Sequence, residues 1–477
     1  MVRCVKHKHS ETMRGISRRS LLTGAASLVA APALGAISRP TDVDVAIIGA
    51  GAAGIAAGRR LAAAGQRYVL IEASPRVGGR CYTDMTTFGV PYDRAARGIR
   101  GRETNPVAKL AAEAKLDIDP APRGQRVRIG RRNAREGELE DFLAASVRAN
   151  RAIGDAARSG RDIAAAQLLP RELADWRTSV EFLLGPYATS KDLTEVSAVD
   201  LARAADREPN GFCRQGYGAL VAKLGSGLRT QLDNPVTRVE WAGRDGVALD
   251  TRQGRLAARA VIVTVSTGVL ASDAIRFTPE LPKRHSDAIA RLKPGTYERI
   301  ALELNGNPFG LSRDDLVFEK SDGPRTGALL ANIGRTPLCT IDVGGAFGRD
   351  LAAQGEAAMI AYAADWLAGL YGGDIRKSVG RSHATRWSSD PLIRGGWSSA
   401  SPGGAGSRAV LREALSARLW FAGEAAHDTA WGSVEGAWET GERAANEILR
   451  SFGVLRDEPA AKAKGAVKRS APKRQEF

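Results

Sequence analysis

An α/β fold with a parallel sheet is predicted by three observations in the first hundred residues. The apolar run Val45 to Ile48 predicts a buried strand, and it leads into Gly49-Ala50-Gly51-Ala52-Ala53-Gly54, which opens an alanine-rich helix. A second apolar run, Tyr68 to Ile71, ends at Glu72, eighteen residues after Gly54. Together these are the parts of a Rossmann-like dinucleotide-binding βαβ unit.

Each glycine of the turn has a physical role in such a unit. Gly49 allows the tight turn, Gly51 lets the backbone approach a pyrophosphate, and Gly54 lets helix and strand pack closely. The pyrophosphate then lies at the positive end of the helix, and the Glu72 carboxylate accepts hydrogen bonds from ribose hydroxyls. A glycine-rich turn that serves packing alone is the alternative, and the strand, helix and acid around it argue against that alternative.

The 477 residues predict two or three structural units, and the hydrophobic fraction of 43% is enough for large cores. The formal net charge of +16 is concentrated in the two ends. Residues 1–33 carry six basic and one acidic side chain, and residues 455–477 carry seven basic and three acidic ones. No basic patch with interleaved aromatic residues is present, so we expect no nucleic-acid partner.

The amino-terminal segment has the features of an export signal. Arg18 and Arg19 form a twin-arginine pair, an uncharged stretch runs from Ser20 to Ser38, and Ala31-Pro32-Ala33 offers a small-residue cleavage site. We therefore expect a Tat signal peptide over residues 1–36, the Tat export machinery as a partner, and a periplasmic or secreted location. The alternative is an uncleaved or cytoplasmic leader. At the other end, residues 455–477 predict a disordered basic tail.

The cysteines and histidines show no metal-ligand spacing and no obvious disulfide framework. Buried free thiols are the default expectation for Cys81, Cys213 and Cys339, and no metal site is expected.

The middle of the chain alternates between helical and strand patterns. Residues 105–205 predict an arginine-rich helical layer, with apolar residues at helical spacing in Glu138 to Arg151 and Ile163 to Leu184. Gln215 to Leu220 predicts a turn into a helix. The following segments predict a strand, a hairpin, a buried strand and a turn: Val236 to Trp241, Gly246 to Leu256, Ala260 to Val265, and Ile275 to Pro282.

Residues 283–400 predict strands at Ile300 to Leu304 and Met359 to Tyr362 together with a short helix. Leu419 to Phe421 then predicts a strand that ends in Gly423-Glu424, and Gly432 to Asn446 predicts a helix. The cofactor fold is therefore expected to be built from separated segments.

The order and spacing of these motifs resemble the FAD-dependent flavin amine oxidases, which include monoamine, polyamine and L-amino-acid oxidases and flavin histone demethylases. The motifs are the glycine turn, Glu72, Gly78-Gly79-Arg80, Gln215 to Gly218, Trp387, Gly395-Gly396-Trp397, Pro402-Gly403, Phe421 to Glu424, and Gly436-Ala437. The resemblance implies a Rossmann-like FAD-binding domain of the GR2 type, formed by 42–95, 210–275 and 400–452. It also implies an α+β substrate-binding domain with a helical part, formed by 96–209 and 276–399.

The resemblance implies a bound FAD with assigned residues. Glu72 would hold the adenosine ribose, Arg80 the pyrophosphate region, Val236 the adenine, and Glu424 the ribityl-pyrophosphate part. The amino end of the helix at Ser433 and Val434 would face the flavin pyrimidine and stabilise negative charge on the reduced ring. The full implied set is Gly49, Gly51, Ala53, Gly54, Glu72, Ala73, Gly79, Arg80, Val236, Glu424, Ser433 and Val434.

The implied reaction is hydride transfer from the carbon beside a neutral amine nitrogen to flavin N5, giving an imine that hydrolyses to an aldehyde or ketone. O2, giving H2O2, or a periplasmic electron acceptor would reoxidise the flavin, and a homodimer is possible. The alternatives left open are an L-amino-acid oxidase, a desaturase or porphyrinogen-oxidase-like flavoprotein, and a catalytically silent flavoprotein-fold binding protein.

Three positions depart from the family pattern. Gly396 stands where monoamine oxidases carry the cysteine that bonds to flavin, so non-covalent FAD is expected. Trp397 matches one wall of the family's aromatic cage, with a packed core tryptophan as the alternative, and Ser433 stands at the second aromatic position. Arg299 falls where the family has a lysine that holds a water near N5, so we predict catalytic roles for Arg299 and Trp397.

The carboxylate-binding arginine of amino-acid oxidases corresponds to Gly98 here, which argues weakly against an α-amino acid substrate. Arg97 and Arg100 lie close enough in sequence to keep that substrate class open. Arg299, a fork-shaped and permanently charged group, could also bind a substrate carboxylate, or it could be a surface arginine on a strand.

Overall fold

A computed structural model of the protein describes residues 41–121, 125–205, 208–243 and 246–456. The strands, numbered in chain order, are β1 Val43–Ile48, β2 Tyr68–Ile71, β3 Thr83–Asp84, β4 Tyr92–Asp93, β5 Gly98–Ile99, β6 Ile118–Pro120, β7 Arg126–Ile129, β8 Arg132–Asn133, β9 Gly211–Cys213, β10 Thr230–Gln231, β11 Val236–Gly243, β12 Gly246–Thr251, β13 Gly254–Val263, β14 Arg276–Thr278, β15 Tyr297–Leu304, β16 Leu316–Glu319, β17 Ala328–Leu330, β18 Leu338–Gly344, β19 Val379–Ala384 and β20 Leu419–Phe421.

The α-helices are α1 Ala52–Ala63, α2 Pro106–Lys109, α3 Glu136–Arg158, α4 Arg177–Phe182, α5 Ala198–Arg203, α6 Tyr217–Leu224, α7 Thr267–Leu270, α8 Lys283–Arg291, α9 Gly345–Ala353, α10 Glu356–Tyr371, α11 Ile375–Ser378, α12 Ser407–Arg412 and α13 Val434–Ser451. Short helical turns of other types cover Ala165–Leu168, Arg171–Trp176, Leu183–Tyr187, Leu193–Glu195, Ile333–Arg335 and Glu424–Ala426.

The first sheet has the order β10-β2-β1-β13-β12-β11-β14, and β20 pairs with β13 beside this path. Strands β2, β1, β13 and β20 run parallel to one another, so their carboxyl ends meet at one edge. Such an edge is where ligands bind in open α/β sheets. Helix α1 packs against α13 so closely that a Cβ on Gly441 would lie 2.1 Å from the Ala53 carbonyl oxygen.

The second sheet has the order β19-β15-β18-β17-β16-β7-β8, and its pairs are antiparallel except for β16 with β7. The apolar sides of β15 and β18 share a core with α10, which contributes Met359, Trp366 and Leu367. Helix α3 heads a separate cluster with the turns that follow it, including Phe142, Trp176 and Val180. This layer corresponds to the expected helical insertion.

The strands and helices expected from β1 to α1, at α3, at α6 and at α13 are present. The strand expected at Met359 to Tyr362 is wrong, because these residues lie inside helix α10. A short apolar run does not distinguish the two structures, and the buried Met359, Ala363 and Trp366 follow the helical spacing of three or four residues. Residues 283–400 are expected to contain one short helix. Within the described residues they contain four α-helices, one at 283–291 and three within 345–378.

Two further expectations need correction. The segment Ile275 to Pro282 is not only a turn, because β14 lies within it and pairs with β11. The helical spacing over Ile163 to Leu184 is broken into short turns and the six-residue helix α4, which is consistent with the proline at Pro170 removing a backbone donor. The bounds of the two expected domains stay a prediction. The expected signal peptide and the tail from residue 457 lie outside the described residues.

Cys81, Cys213 and Cys339 are buried free thiols, as expected. Within the described ranges, no helix is both long and apolar enough to cross a membrane. The same ranges contain no group of three or more His, Cys, Asp or Glu side chains arranged to hold a metal ion.

Candidate active site

A groove lies at the carboxyl ends of the four parallel strands. Gly49 follows β1, Glu72 follows β2, Thr264 follows β13, and Ala422 follows β20. A small cavity of about 20 Å³ occupies part of this groove, and its lining includes Arg80, Thr264, Ala422 and Glu424. The topology of the first sheet therefore places the sequence-predicted glycine turn beside residues about 370 positions further along the chain.

The three glycines of the turn differ in what surrounds them. Gly49 has a φ of +101°, and a Cβ there would lie 2.6 Å from the Thr264 hydroxyl. A Cβ on Gly54 would lie 2.0 Å from the Gly49 carbonyl oxygen. A Cβ on Gly51 would meet nothing within 4 Å. The protein's own packing thus requires Gly49 and Gly54, while the space above Gly51 is left for a ligand.

Helix α1 begins immediately after Gly51, and no side chain caps its amino end. Its first turn contains no acidic residue. The uncapped N–H groups and the helix dipole therefore make this end suitable for an anion such as a pyrophosphate. Ala53 lies within this first turn, as the sequence predicts.

Glu72 fixes the glycine turn through its carboxylate. One carboxylate oxygen accepts a hydrogen bond from the Ala50 N–H at 2.8 Å, and the other accepts from the Ser74 N–H at 2.9 Å. The remaining lone pairs are sufficient for ribose hydroxyls. The Asn234 N–H donates to the Glu72 carbonyl oxygen, which brings the start of β11 and the buried Val236 beside the same site. Ala73 is half-buried at the end of β2.

The Gly78-Gly79 loop lies against the glycine turn. Gly51 and Gly78 form an isolated parallel bridge, and a Cβ on Gly79 would lie 3.5 Å from the Gly51 Cα. The next residue, Arg80, donates through Nη1 to Glu424 Oε1 at 3.1 Å and to the Gly396 carbonyl oxygen. Arg80 therefore connects the first βαβ unit to two segments near the end of the chain.

The Glu424 carboxylate organises the far end of the groove. It is buried and accepts hydrogen bonds from the Ser398 N–H and hydroxyl and from the Gly432 N–H, at 2.7 to 3.0 Å. Ser433 caps helix α13 by accepting from the Gly436 N–H at 3.0 Å, and Val434 is the first residue of that helix. The amino end of α13 is thus directed to the groove by the same acid that holds Arg80.

Trp397 lies next to this helix end and is half-buried. Its ring packs on Tyr297, with centroids 4.6 Å apart, and a Cβ on Gly432 would lie 2.5 Å from its Cδ1 atom. The indole Nε1 is buried and has no hydrogen-bond partner among the described residues. Buried donors are normally satisfied, so an acceptor on a bound molecule would complete this site. The open space at Gly51 and this donor both fit a bound dinucleotide.

Arg299 is buried on β15 and is already engaged. Its Nε and Nη2 donate to the two carboxylate oxygens of Asp342 at 2.7 and 2.8 Å. Its Nη1 donates to the carbonyl oxygens of Asp93 and Ala95 at 2.8 and 2.6 Å. Burial lowers the pKa of Arg299, but the Asp342 charge outweighs burial and raises it above the ordinary arginine value. The surface-arginine alternative is therefore wrong, and the catalytic role of Arg299 stays a prediction.

The sequence patterns did not identify Glu298 and Asp342, two buried acids that support the residues of this site. Glu298 is fully buried and accepts from the Thr385 hydroxyl and from the N–H groups of Trp387 and Ser388. Asp342 accepts from the Tyr297 hydroxyl at 2.7 Å as well as from Arg299. The available signal was two charged residues, Glu298 and Arg299, inside an apolar strand, because buried charges must be paired.

A second buried cation supports the backbone after Trp397. Lys191 donates through Nζ to the Ser399 carbonyl oxygen at 2.8 Å, and burial lowers its pKa to about 8. Nothing in the sequence pattern singles out this lysine, because its partner is a backbone atom more than 200 residues away.

A family model of flavin containing amine oxidoreductases matches residues 52–449. The chain belongs to this family. The members of this family are flavin-containing amine oxidoreductases. The groove just described fits the flavin cofactor of this family, with the glycine turn, Glu72, Arg80 and Glu424 as the residues that would hold FAD.

The curated relatives of this chain include lysine-specific histone demethylases. One from Oryza sativa subsp. japonica, lysine-specific histone demethylase 1 homolog 2, is 29% identical over 86% of this chain and 57% of its own length. Lysine-specific histone demethylase 2 of Homo sapiens is 27% identical over 85% of this chain and 53% of its own length. The chain thus spans little more than half the length of these relatives.

Solved amine oxidases share the fold of this chain. Cyclohexylamine oxidase from Brevibacterium oxydans IH-35A matches with a TM-score of 0.75 at 22% identity, over 87% of this chain and all of that one. A putrescine oxidase bound to putrescine matches with a TM-score of 0.74 at 20% identity, over 86% and 99% of the two chains. The mixed α/β fold expected from the sequence is confirmed.

Proposed function

We propose that the protein oxidises a small amine whose reacting carbon carries no carboxylate, and that its FAD is bound without a covalent bond. The observation that carries this proposal is the pairing of three arginines near the site. Arg97 contacts Asp314 at 2.7 Å, Arg100 faces Glu435 at 3.8 Å, and Arg299 contacts Asp342 at 2.7 Å. Each cation that the sequence offers for a substrate carboxylate already faces an acid of the chain.

The energetics of these pairs disfavour substitution by a substrate. The side chains of Arg97 and Asp314 are 11% and 5% exposed, and those of Arg299 and Asp342 are 8% and 9% exposed. A substrate carboxylate that displaced either acid would leave a buried negative charge without its partner, which costs several kcal/mol, about 3–5. The side chains of Arg100 and Glu435 are farther apart and are 22% and 12% exposed. An amino-acid oxidase would have to bind its substrate carboxylate at this pair.

The named substrates of the solved neighbours agree with this class. Cyclohexylamine and putrescine are amines without a carboxylate. Bound FAD supplies the acceptor for a hydride from the carbon beside a neutral amine nitrogen. The chain's part is to hold the amine against the ring of Trp397, which packs on Tyr297, because an apolar wall favours the unprotonated amine. The amino end of α13 favours negative charge at the groove. The imine product then hydrolyses in water to an aldehyde or ketone.

The proposal of a non-covalent FAD is supported by the residue at position 396. Glycine has no nucleophilic side chain, and a Cβ there would lie 2.9 Å from the Tyr297 Cβ and 3.2 Å from the Ser190 Cβ. The surrounding residues therefore leave little room for the cysteine that would form the bond.

The place of action and the reoxidant belong to the same proposal. The twin arginines support Tat export to the periplasm. There, O2 or a periplasmic electron acceptor would reoxidise the flavin. The exported protein would act as a single chain or as a homodimer. Cell fractionation of the full chain and of an Arg18→Lys/Arg19→Lys variant tests the location. We expect the first in the periplasm and the second in the cytoplasm, and equal periplasmic amounts would contradict export by this route.

A product assay tests the substrate class. The purified holoenzyme is incubated in air with cyclohexylamine, putrescine, an Nε-methylated lysine peptide and a set of L-amino acids, and aldehyde, ketone and peroxide are measured. We expect turnover of at least one amine and none of the amino acids. Turnover of the amino acids alone would favour an L-amino-acid oxidase, and flavin reduction by apolar compounds alone would favour a desaturase-like activity.

A further inference from the structure

The position of the Trp397 ring depends on side chains that do not themselves face the groove. Two neighbours fix the backbone of Trp397, because its carbonyl oxygen accepts from the Ser190 hydroxyl at 2.9 Å and from the Gly295 N–H at 3.2 Å. Neither contact determines the direction of the indole ring. The ring is instead packed on Tyr297 with an interplanar angle of 47°.

The Tyr297 ring is itself held at its far end. Its hydroxyl donates to Asp342 Oδ2 at 2.7 Å, and both residues are at least nine-tenths buried. Burial and the neighbouring Asp342 charge raise the pKa of Tyr297 well above its usual value, so the hydroxyl is protonated and can donate at neutral pH. The orientation of this ring is therefore set by a hydrogen bond to a charged acceptor.

Strand register explains how Asp342 reaches both partners. Strands β15 and β18 are antiparallel, Asp342 is directly opposite Arg299, and Tyr297 is paired with Gly344, two residues further along β18. Direct and diagonal neighbours on one sheet face are within side-chain reach. The glycine opposite Tyr297 adds no side chain between that ring and Asp342.

We infer that Tyr297 and Asp342 are positioning residues that set the orientation of Trp397 and thereby the fit of the amine substrate. Arg299 holds the Asp342 carboxylate with two hydrogen bonds and ties it to the carbonyl groups of Asp93 and Ala95. The unit therefore links the wall made by Trp397 to the segment Asp93 to Ala95 across the site. This inference rests on the proposed amine oxidation.

The variant Tyr297→Phe removes only the hydroxyl and keeps the ring. We expect KM for the amine to rise about three- to tenfold with kcat changed less than about twofold, because a misdirected Trp397 ring weakens substrate binding. Tyr362→Phe is the matched control, since the Tyr362 hydroxyl is also buried but has no hydrogen-bond partner among the described residues. Equal KM values in both variants and the wild type would overturn the inference.

A second variant changes the acceptor of the same hydrogen bond. Asp342→Asn keeps the shape of the acceptor and removes its charge, so KM should rise in the same direction. The double variant Tyr297→Phe/Asp342→Asn should raise KM no more than the larger single effect, because the residues act as one unit. Additive effects on KM would show that the two side chains act separately and would overturn the proposal.

A readout that needs no turnover separates this inference from the proposed function. The Tyr297 and Trp397 rings are close enough to couple optically, so the near-ultraviolet circular dichroism of the holoenzyme should contain a contribution that Trp397→Phe removes. We expect Tyr297→Phe to reduce that contribution and Tyr362→Phe to leave it. Failure of the wild type to oxidise any amine would reject the proposed function, whereas an unchanged dichroism in Tyr297→Phe would reject the positioning role.

Discussion

Lys191 is a buried cation whose hydrogen bond supports the backbone beside Trp397. Its pKa is lowered by burial from 10.5 to about 8, against the opposing attraction of Glu195. Between these two values the unfolded chain binds a proton that the folded protein has released. The free energy of unfolding must therefore rise with pH across this window, by at most about 1.4 kcal/mol per pH unit.

The prediction for Lys191 concerns this pH dependence. Chemical unfolding at pH 7.5 and pH 9.5 should show the wild type gaining about 1–2 kcal/mol relative to Lys191→Met, which has no group to titrate there. Lys283→Met, at an exposed ion pair with Asp287, should keep the wild-type gain. If the free energy of unfolding of Lys191→Met changes between the two pH values as it does in the wild type, burial does not lower the pKa of Lys191.

The absence of a side chain at Gly51 serves cofactor binding and is not required by the packing of the protein. Because a Cβ at Gly51 meets no protein atom within 4 Å, Gly51→Ala should leave the stability of the flavin-free protein nearly unchanged. The same methyl group enters the space where the backbone must approach the pyrophosphate, so FAD affinity should fall about tenfold or more. Fluorescence titration of the flavin-free protein with FAD measures this loss.

Gly369→Ala is the control for this variant, since Gly369 lies within α10 and also has open space around its Cβ position. It should bind FAD as the wild type does. Gly54→Ala, by contrast, should prevent folding, because its Cβ would lie 2.0 Å from the Gly49 carbonyl oxygen. Wild-type FAD affinity in Gly51→Ala would contradict the assignment of the groove.

At the scale of secondary-structure elements, helices α5 and α12 are joined by one fully buried ion pair. Arg408 donates through Nε and Nη2 to the two carboxylate oxygens of Asp200 at 2.7 and 2.8 Å, and both side chains are 2% exposed. Arg408 also donates to the Ser398 hydroxyl, which in turn donates to Glu424. The pair thus supports the far end of the cofactor groove from the helical layer.

Removing one member of this pair should be costly. Arg408→Met leaves Asp200 buried without its partner, and we expect the free energy of unfolding to fall by about 3–5 kcal/mol. The exposed pair of Arg158 and Asp155 gives a comparison, and Arg158→Met should change stability little. Urea unfolding of both variants measures these changes. Similar losses of unfolding free energy in the two variants would show that the buried pair contributes no more to stability than the exposed pair.

The elements that sequence patterns predict best are those whose pattern is local. The βαβ unit is recognisable because a strand, a glycine turn and a helix follow one another within twenty residues, each with its own periodicity. The apolar run Met359 to Tyr362 predicts a strand although it lies in helix α10, because four apolar residues fit either structure. The pairing of Arg299 with Asp342 could not be predicted, since it depends on the register of two strands separated by 43 positions.

At the scale of the whole molecule, the order of the motifs is enough to predict the family, and the family model matches residues 52–449. The sequence offers Arg299, Arg97 and Arg100 as free cations, and only the folded chain shows that each faces an acid. The substrate class is therefore a property of the assembled site. The cofactor class is a property of short motifs.

The mode of flavin attachment is a prediction for the intact holoenzyme. Acid precipitation should leave a colourless protein pellet and a yellow supernatant, because Gly396 offers no atom for a bond to the flavin. A yellow pellet would mean that another side chain forms the bond.

We propose that this chain oxidises amines and not the corresponding amino acids. The most direct measurement is anaerobic mixing of the holoenzyme with matched pairs that differ only by the carboxylate, such as phenylethylamine and phenylalanine, while the flavin absorption is followed. We expect rapid bleaching of the flavin by the amine and none by the amino acid. Bleaching by the amino acid with an unchanged spectrum for the amine would contradict this substrate class.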